Sequence, residues 1–515
     1  MKTININPIN KFHNQISIFF VLISTLVFHN LIAQSNLSYP IVDTKQSLFY
    51  DTLNIISQPQ AGENFYGQDA NYPGYQPSYV DNGDGTISDQ ITELMWQKST
   101  DINNDGVINV DDKLTYEEAL SGADTMSLAG YNDWRLPSIK EMYSLIIFSG
   151  VDVSGWEGST NDLIPFIDTD YFDYNYGDES AGERIIDSQY ASSTLYVGTT
   201  MNGDETMFGV NFADGRIKGY PTGPMPGQTE GKLFYVQYVR GNTDYGTNQL
   251  IDNDNGTITD NATGLMWLKD DNGEAVKWQE ALSYAENANI AGFSDWRLPN
   301  AKELQSIIDY TRSPQTTNSP AINPIFNCSS IIDEDDNENY PFYWSSTTHA
   351  NMSASPGGSA AYVCFGEALG FMEQPPGSGN YNLMDVHGAG AQRSDPKFGN
   401  PDDYPFGHGP QGDVVRIYNY VRLVRDAAPT AINETSSTHL KVYPNPTNGY
   451  LTVDLGKETS ITNIYIYNFS GSLVFEKEIK NAQNQVIDIQ KLNTGIYFVK
   501  IIGPEKVYSK KIIKN

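Results

Sequence analysis

Twelve residues, Asp101–Asp112 (DINNDGVINVDD), carry the sharpest chemical signal in the chain. Oxygen-bearing side chains stand at positions 1, 3 and 5, glycine at 6, an aliphatic residue at 8 and a carboxylate at 12. Ca2+ takes six to eight hard oxygens around a tight turn, and this is EF-hand spacing. The expected ligands are Asp101, Asn103 and Asp105 directly, Val107 through its carbonyl, Asn109 through water, and Asp112. Asp112 stands where Glu is usual, so its arm is one methylene short. The alternative is an acidic hairpin that holds no ion.

Two arginines have a carboxylate six residues on: Arg135 with Glu141, and Arg297 with Glu303. A guanidinium can grip one carboxylate with two parallel hydrogen bonds. Each set reads either as an ion pair pinning a helix or as an anion-binding arginine. The ion pair weighs more, because the whole DWRLP…E set occurs twice between differing loops. Cys328 and Cys364 are the only thiols. In an exported chain they are expected to form a disulfide, whose loop closure contributes roughly 3–4 kcal/mol. A redox pair is the other reading.

Weaker signals follow. DNGDGTISD and DNDNGTITD (Asp81, Asp84 and Asp89; Asp252, Asp254 and Asp260) read as Asx-type turns before a strand. Residues 373–412 read as a long ordered loop and candidate ligand-binding segment, although His387, His408 and Asp395 fit no ligand spacing. Tyr343 and Trp344 could stack on a sugar, but at strand spacing they read as core. No GxSxG, HExxH, P-loop or GxGxxG is present, and nothing argues for catalysis.

The elements that must position these groups are written twice. DNGDGTISDQITELMWQK at Asp81–Lys98 recurs at Asp252–Lys269, and GYNDWRLPSIKEM recurs as GFSDWRLPNAKEL. ASST at Ala191–Thr194 matches WSST at Trp344–Thr347, and Arg240 aligns with Arg422. These matches are collinear and define two homologous segments, residues 78–243 and 248–428. The calcium-type loop is an insertion in the first. Each copy predicts an opening hairpin, helices at YEEAL/WQEAL and after DWRLP, and later strands; the Leu-Pro proline sits in the helix's first turn. The fold class is therefore α+β.

The ends differ from the middle. Lys2 and Lys11 precede an uncharged apolar run, Ile16–Phe28, which predicts a signal peptide over residues 1–34. No other long apolar run exists, so the mature chain is expected to have no transmembrane segment. Residues 35–77 form a leader and 429–439 a polar linker. From 440 to 515, period-2 patterning broken by turn signals predicts a small antiparallel β-sandwich. The net charge of −31 divides into +2 on the signal, −36 on residues 35–429 and +3 beyond. Such acidity excludes nucleic acid as a natural partner.

Two resemblances complete the reading. Val442–Tyr443–Pro444–Asn445–Pro446, the Leu492–Tyr497 segment and the terminal Lys510–Lys514 run resemble the type IX (Por) secretion sorting domain of Bacteroidota. That implies handling by the type IX machinery, then release or attachment at the outer surface. GDGTISD…MW, NDWRLPS…E, SST and YVR together resemble the C-terminal domain of the Legionella collagen-like adhesin. This resemblance implies tandem C-type-lectin-like domains, related to the formylglycine-generating enzyme. It also implies glycan attachment, with sulfated glycosaminoglycans the ligand class. A charge of −36 suits a polysulfated ligand badly. The expected function is non-catalytic binding of an extracellular glycan or surface polymer; an enzyme on the related scaffold is the alternative.

Overall fold

Each repeat opens with a three-stranded antiparallel meander that a strand from its far end closes. In the first, Tyr79–Asp81, Thr86–Asp89 and Leu94–Gln97 are joined by Val239–Gly241. In the second, Leu250–Asp252, Thr257–Asp260 and Leu265–Leu268 are joined by Val424–Asp426. The turn chemistry is duplicated: Asn82 Nδ2 donates to Thr86 and Ser88, and Asn253 Nδ2 to Thr257 and Thr259. The computed structural model describes residues 37–159, 162–201, 203–224, 229–375, 377–427, 441–454, 463–468, 473–479, 484–502 and 507–515. The expected signal peptide and linker lie outside the described residues.

Two short helices follow in each repeat. α1 (Tyr116–Thr125) and its counterpart α3 (Trp278–Glu286) bury one stripe each, Tyr116, Ala119 and Ala123 in α1 and Trp278, Ala281, Leu282 and Ala285 in α3. α2 (Ile139–Ser144) and α4 (Ala301–Ser306) begin after DWRLP. Ser138 and Asn300 are their N-caps, so Pro137 and Pro299 stand one residue before the cap and not in the first turn. Their carbonyls accept from Ser193 N and Ser346 N, which ties each helix entry to its SST strand.

The repeats meet in one six-stranded antiparallel sheet. Its order is Phe342–Thr348, Ser359–Cys364, Gln392–Pro396, Arg216–Pro221, Thr206–Asn211, Gln189–Leu195. The second repeat supplies the first three strands and the first repeat the others. They join at the pair Gln392–Ile217. One hydrophobic core then runs through both halves, from Trp96 and Ile139 to Trp267, Trp296 and Trp344. The leader contributes Tyr39 to it. Gln46 of the leader donates to the carbonyls of Phe148 and Thr348, one in each repeat.

Strands dominate and the helices are few, six to ten residues in α1 to α4. Residues 373–412 are not one continuous loop, because two strands cross them: Tyr381–Asp385 pairs with Leu369–Glu373, and Gln392–Pro396 enters the central sheet. The repeat register also revises one equivalence. Met95 pairs with Arg240 and Met266 with Arg425, so Arg425, not Arg422, corresponds to Arg240. The two counterparts bind Asp133 and Asp295. The tail forms two antiparallel sheets, of three and four strands, closed over Leu451, Val453, Ile464, Ile466, Ile487 and Val499.

Candidate binding cleft

Arg135 grips Glu141 with two bonds of 2.7 and 2.5 Å, and Arg297 grips Glu303 with 2.5 and 2.7 Å. The same carboxylates accept from Ser138 N and Asn300 N, completing capping boxes. One carboxylate therefore fastens an arginine on the sheet side and starts a helix. Arg297 is the more enclosed and also reaches Asp426 at 3.2 Å.

In the 101–112 loop the side chains bind the loop's own amides. Asp101 accepts from Asp105 N and Gly106 N, Asn103 from Asp105 N, and Asp105 from Val107 N. Asn109 accepts from Asp111 N. Asp112 is fully buried and accepts from Ile102, Asn103 and Asn109 amides. Gly106 takes φ +85°, the sharp turn that position requires. Among the described residues, no three His, Cys, Asp or Glu side chains gather as a metal site.

The expected Cys328–Cys364 disulfide is not formed; both thiols are free. Cys364 is buried on an interior strand, opposite Phe342, whereas Cys328 sits 3.2 Å from the Tyr343 hydroxyl. The two side chains serve different packing sites. Burial pushes the Cys328 thiol up to about 11 and raises Cys364 as well, so neither is a thiolate at neutral pH.

Other singled-out residues separate. Asp81 and Asp252 pair with Lys98 and Lys269. Trp344 and Tyr343 are fully buried, with Trp344 Nε1 donating to Val276 O and Tyr343 Oη to Asp271. His387 binds Asp413 at 3.0 Å, while Asp395 accepts from Arg416 N, Ile417 N and Asn419 Nδ2. Burial holds the Asp395 carboxyl up at about 6.

That last carboxylate orients the wall of a cleft that sequence reasoning missed. The cleft encloses about 560 Å³ on the second repeat. Phe342 and Tyr418 line it with Arg416, Asn419, Glu334 and Tyr404, the last from the 373–412 segment. Phe342 lies flat on Tyr362, ring centroids 4.7 Å apart, and the Arg416 guanidinium covers it at 3.9 Å. Glu334 takes two bonds from Arg416, 2.8 and 2.9 Å. Two buried polar atoms remain without a partner: Arg416 Nη1 and Asn419 Oδ1. An aromatic wall with a few convergent polar atoms is the ordinary makeup of a small-molecule site.

Residues 85–240 and 256–383 each match the model of the Lcl C-terminal domain, together over half of the chain. The chain belongs to the Lcl C-terminal domain family. In this Lcl-type chain the cleft draws Arg416, Tyr418 and Asn419 from beyond the second matched segment. Residues 441–515 match the secretion system C-terminal sorting domain. Such a tail directs type IX secretion, so the protein reaches the outer surface or the extracellular space. No helix among the described residues is long and apolar enough to cross a membrane. One similar solved structure is a DUF3244 family protein with an immunoglobulin-like β-sandwich fold from Bacteroides vulgatus. It is 20% identical, covers 15% of this chain and 84% of that chain, and has a TM-score of 0.14. No curated protein matches the chain.

Proposed function

We propose that this Lcl-type protein is a non-catalytic binder of an extracellular glycan or surface polymer. The cleft of the second repeat carries the reading: an aromatic wall beside two buried polar atoms that lack partners. Its lectin-like character, related to the formylglycine-generating-enzyme scaffold, rests on the RLP-plus-Glu segment in both copies. The raised thiols weigh against a cysteine-based reaction. A glycan array with the purified chain tests the proposal. Retention on at least one polysaccharide without turnover is expected; turnover of a bound substrate would replace binding with enzymology.

Ca2+ in the 101–112 loop belongs to the same proposal. Asp101, Asn103, Asp105, the Val107 carbonyl, Asn109 and Asp112 would hold it, and its role would be to order the loop. The order of donors and the Gly106 turn support this, although Asp112 already serves three amides. Calorimetric titration with Ca2+ should give one site per chain, abolished in Asp101→Ala. Absence of heat and of any thermal shift would leave the loop an ion-free hairpin.

A further inference from the structure

We infer that the chain has one saccharide site and not two, and that its ligand is an uncharged pyranose polymer. This deepens the glycan reading of the cleft and rests on it.

The register between repeats shows why the site is single. Leu114 bridges Phe234 as Val276 bridges Asn419, and Tyr190 bridges Tyr235 as Tyr343 bridges Tyr420. Phe234, Leu233 and Gly231 therefore stand where the second repeat has Asn419, Tyr418 and Arg416. In the central sheet Ala191 pairs with Gly209 as Trp344 pairs with Tyr362, which puts Gln189 in the place of Phe342. The first copy thus lacks the aromatic wall, the guanidinium and the amide. Phe234, buried in the place of Asn419, offers no polar side-chain atom there.

Charge and hydrogen bonding name the ligand. Arg416 is matched by Glu334, and Asp402 adds a further carboxylate to the lining, so the cleft offers no net positive charge. A sulfate or uronate entering it would face that acidity and the surrounding −36. A sugar hydroxyl donates and accepts, which suits the free Arg416 Nη1 donor and Asn419 Oδ1 acceptor. Asn419 is 1% exposed, so its unpaired oxygen is otherwise costly. Aromatic surface continues beyond the cleft: Phe371 on its lining touches Phe406, which stacks on Tyr381 at 4.2 Å. Tyr381 and Phe406 are 40% and 52% exposed, a platform for further sugar rings.

Titration calorimetry of the full chain with laminarin, mannan and xyloglucan, beside heparin and alginate at low and high salt, tests this. A neutral polymer should bind with salt-independent affinity, and a short oligosaccharide of it should saturate at one site per chain. Tyr418→Ala and Phe406→Ala, both at solvent-facing rings, should each weaken binding about tenfold, or about 1.4 kcal/mol. Preference for heparin or alginate that fades with salt, two sites per chain, or unchanged affinity in both variants would overturn the inference while leaving glycan binding intact. No binding to any polymer would overturn both.

Discussion

Lys140 of α2 and Lys302 of α4 cap each other's helices. Lys140 Nζ donates to the Ser306 carbonyl at 2.7 Å, and Lys302 Nζ donates to the Ser144 carbonyl at 2.9 Å. Ser144 and Ser306 end the two helices, so each helix C-terminus receives the other's cation. Lys140 also binds Gly246 O and Asn248, and Lys302 binds Asp43 O from the leader. Burial brings the two ammonium groups down to about 8 and about 7. The repeats are thereby tied at matching positions, in addition to their shared sheet.

Unfolding of the two repeats should accordingly be one event. Differential scanning calorimetry is expected to give a single transition for the leader and both repeats, with the tail free to melt separately. Lys302→Met leaves the Ser144 and Asp43 carbonyls unpaired and should cost about 1–3 kcal/mol. Two resolved repeat transitions in the parent protein would contradict the fused core.

The twin ion pairs should differ in worth. Arg297 keeps only 10% of its side-chain exposure against 33% for Arg135. Arg297→Ala strands Glu303 in the interior and is expected to cost about 3–5 kcal/mol, with Arg135→Ala costing less. Urea denaturation curves of the two variants check the order. Equal losses would mean that exposure does not set the difference.

Native alkylation followed by mass spectrometry should find two thiols. Cys328, half-buried, is expected to react slowly and Cys364 only after denaturation. Reductant should leave the melting temperature unchanged. A mass two hydrogens lower in the unreduced protein would instead reveal a disulfide.

Asp69 should make stability depend on pH. It accepts from Thr44 and Thr347, joining leader to second repeat, and burial lifts its carboxyl from 3.8 to about 7. The native state therefore keeps this proton longer than the unfolded chain does. Its contribution is full below about pH 4, falls as pH rises toward about 7, and is level above that. Asp69→Asn keeps an acceptor but cannot ionise. Relative to the parent it should gain between about pH 4 and about pH 8, on the order of 1–4 kcal/mol, in denaturant titrations at the two pH values. A difference that is flat or reversed in sign would refute the assignment.

Local patterns were legible in the residues alone. The Arg–Glu partnership spans six positions at one helix start, so its geometry follows from that turn. The opening hairpins and the alternating tail are likewise set by neighbours in sequence. Asp101–Asp112 shows the limit of such reading: the donors could be named, but not that Asp112 spends its carboxylate on three amides.

Repetition in the sequence told of two copies and nothing of their joining. Fusion depends on a pair as distant as Ile217 and Gln392 and on lysines reaching across a seam. Cysteine count and export suggested a disulfide, and only packing decided that Cys364 faces the core while Cys328 meets Tyr343. The cleft gathers Glu334, Phe342, Asp402, Arg416, Tyr418, Asn419 and Tyr420 from separate strands and loops. No periodicity links such residues, because a concave site is a product of chain crossings. The sequence by itself determined the repeat, its local turns, its acidity and its export tail; the tertiary structure decided that the second repeat gathers a cleft whose aromatic and polar residues differ from those at the matching positions of the first.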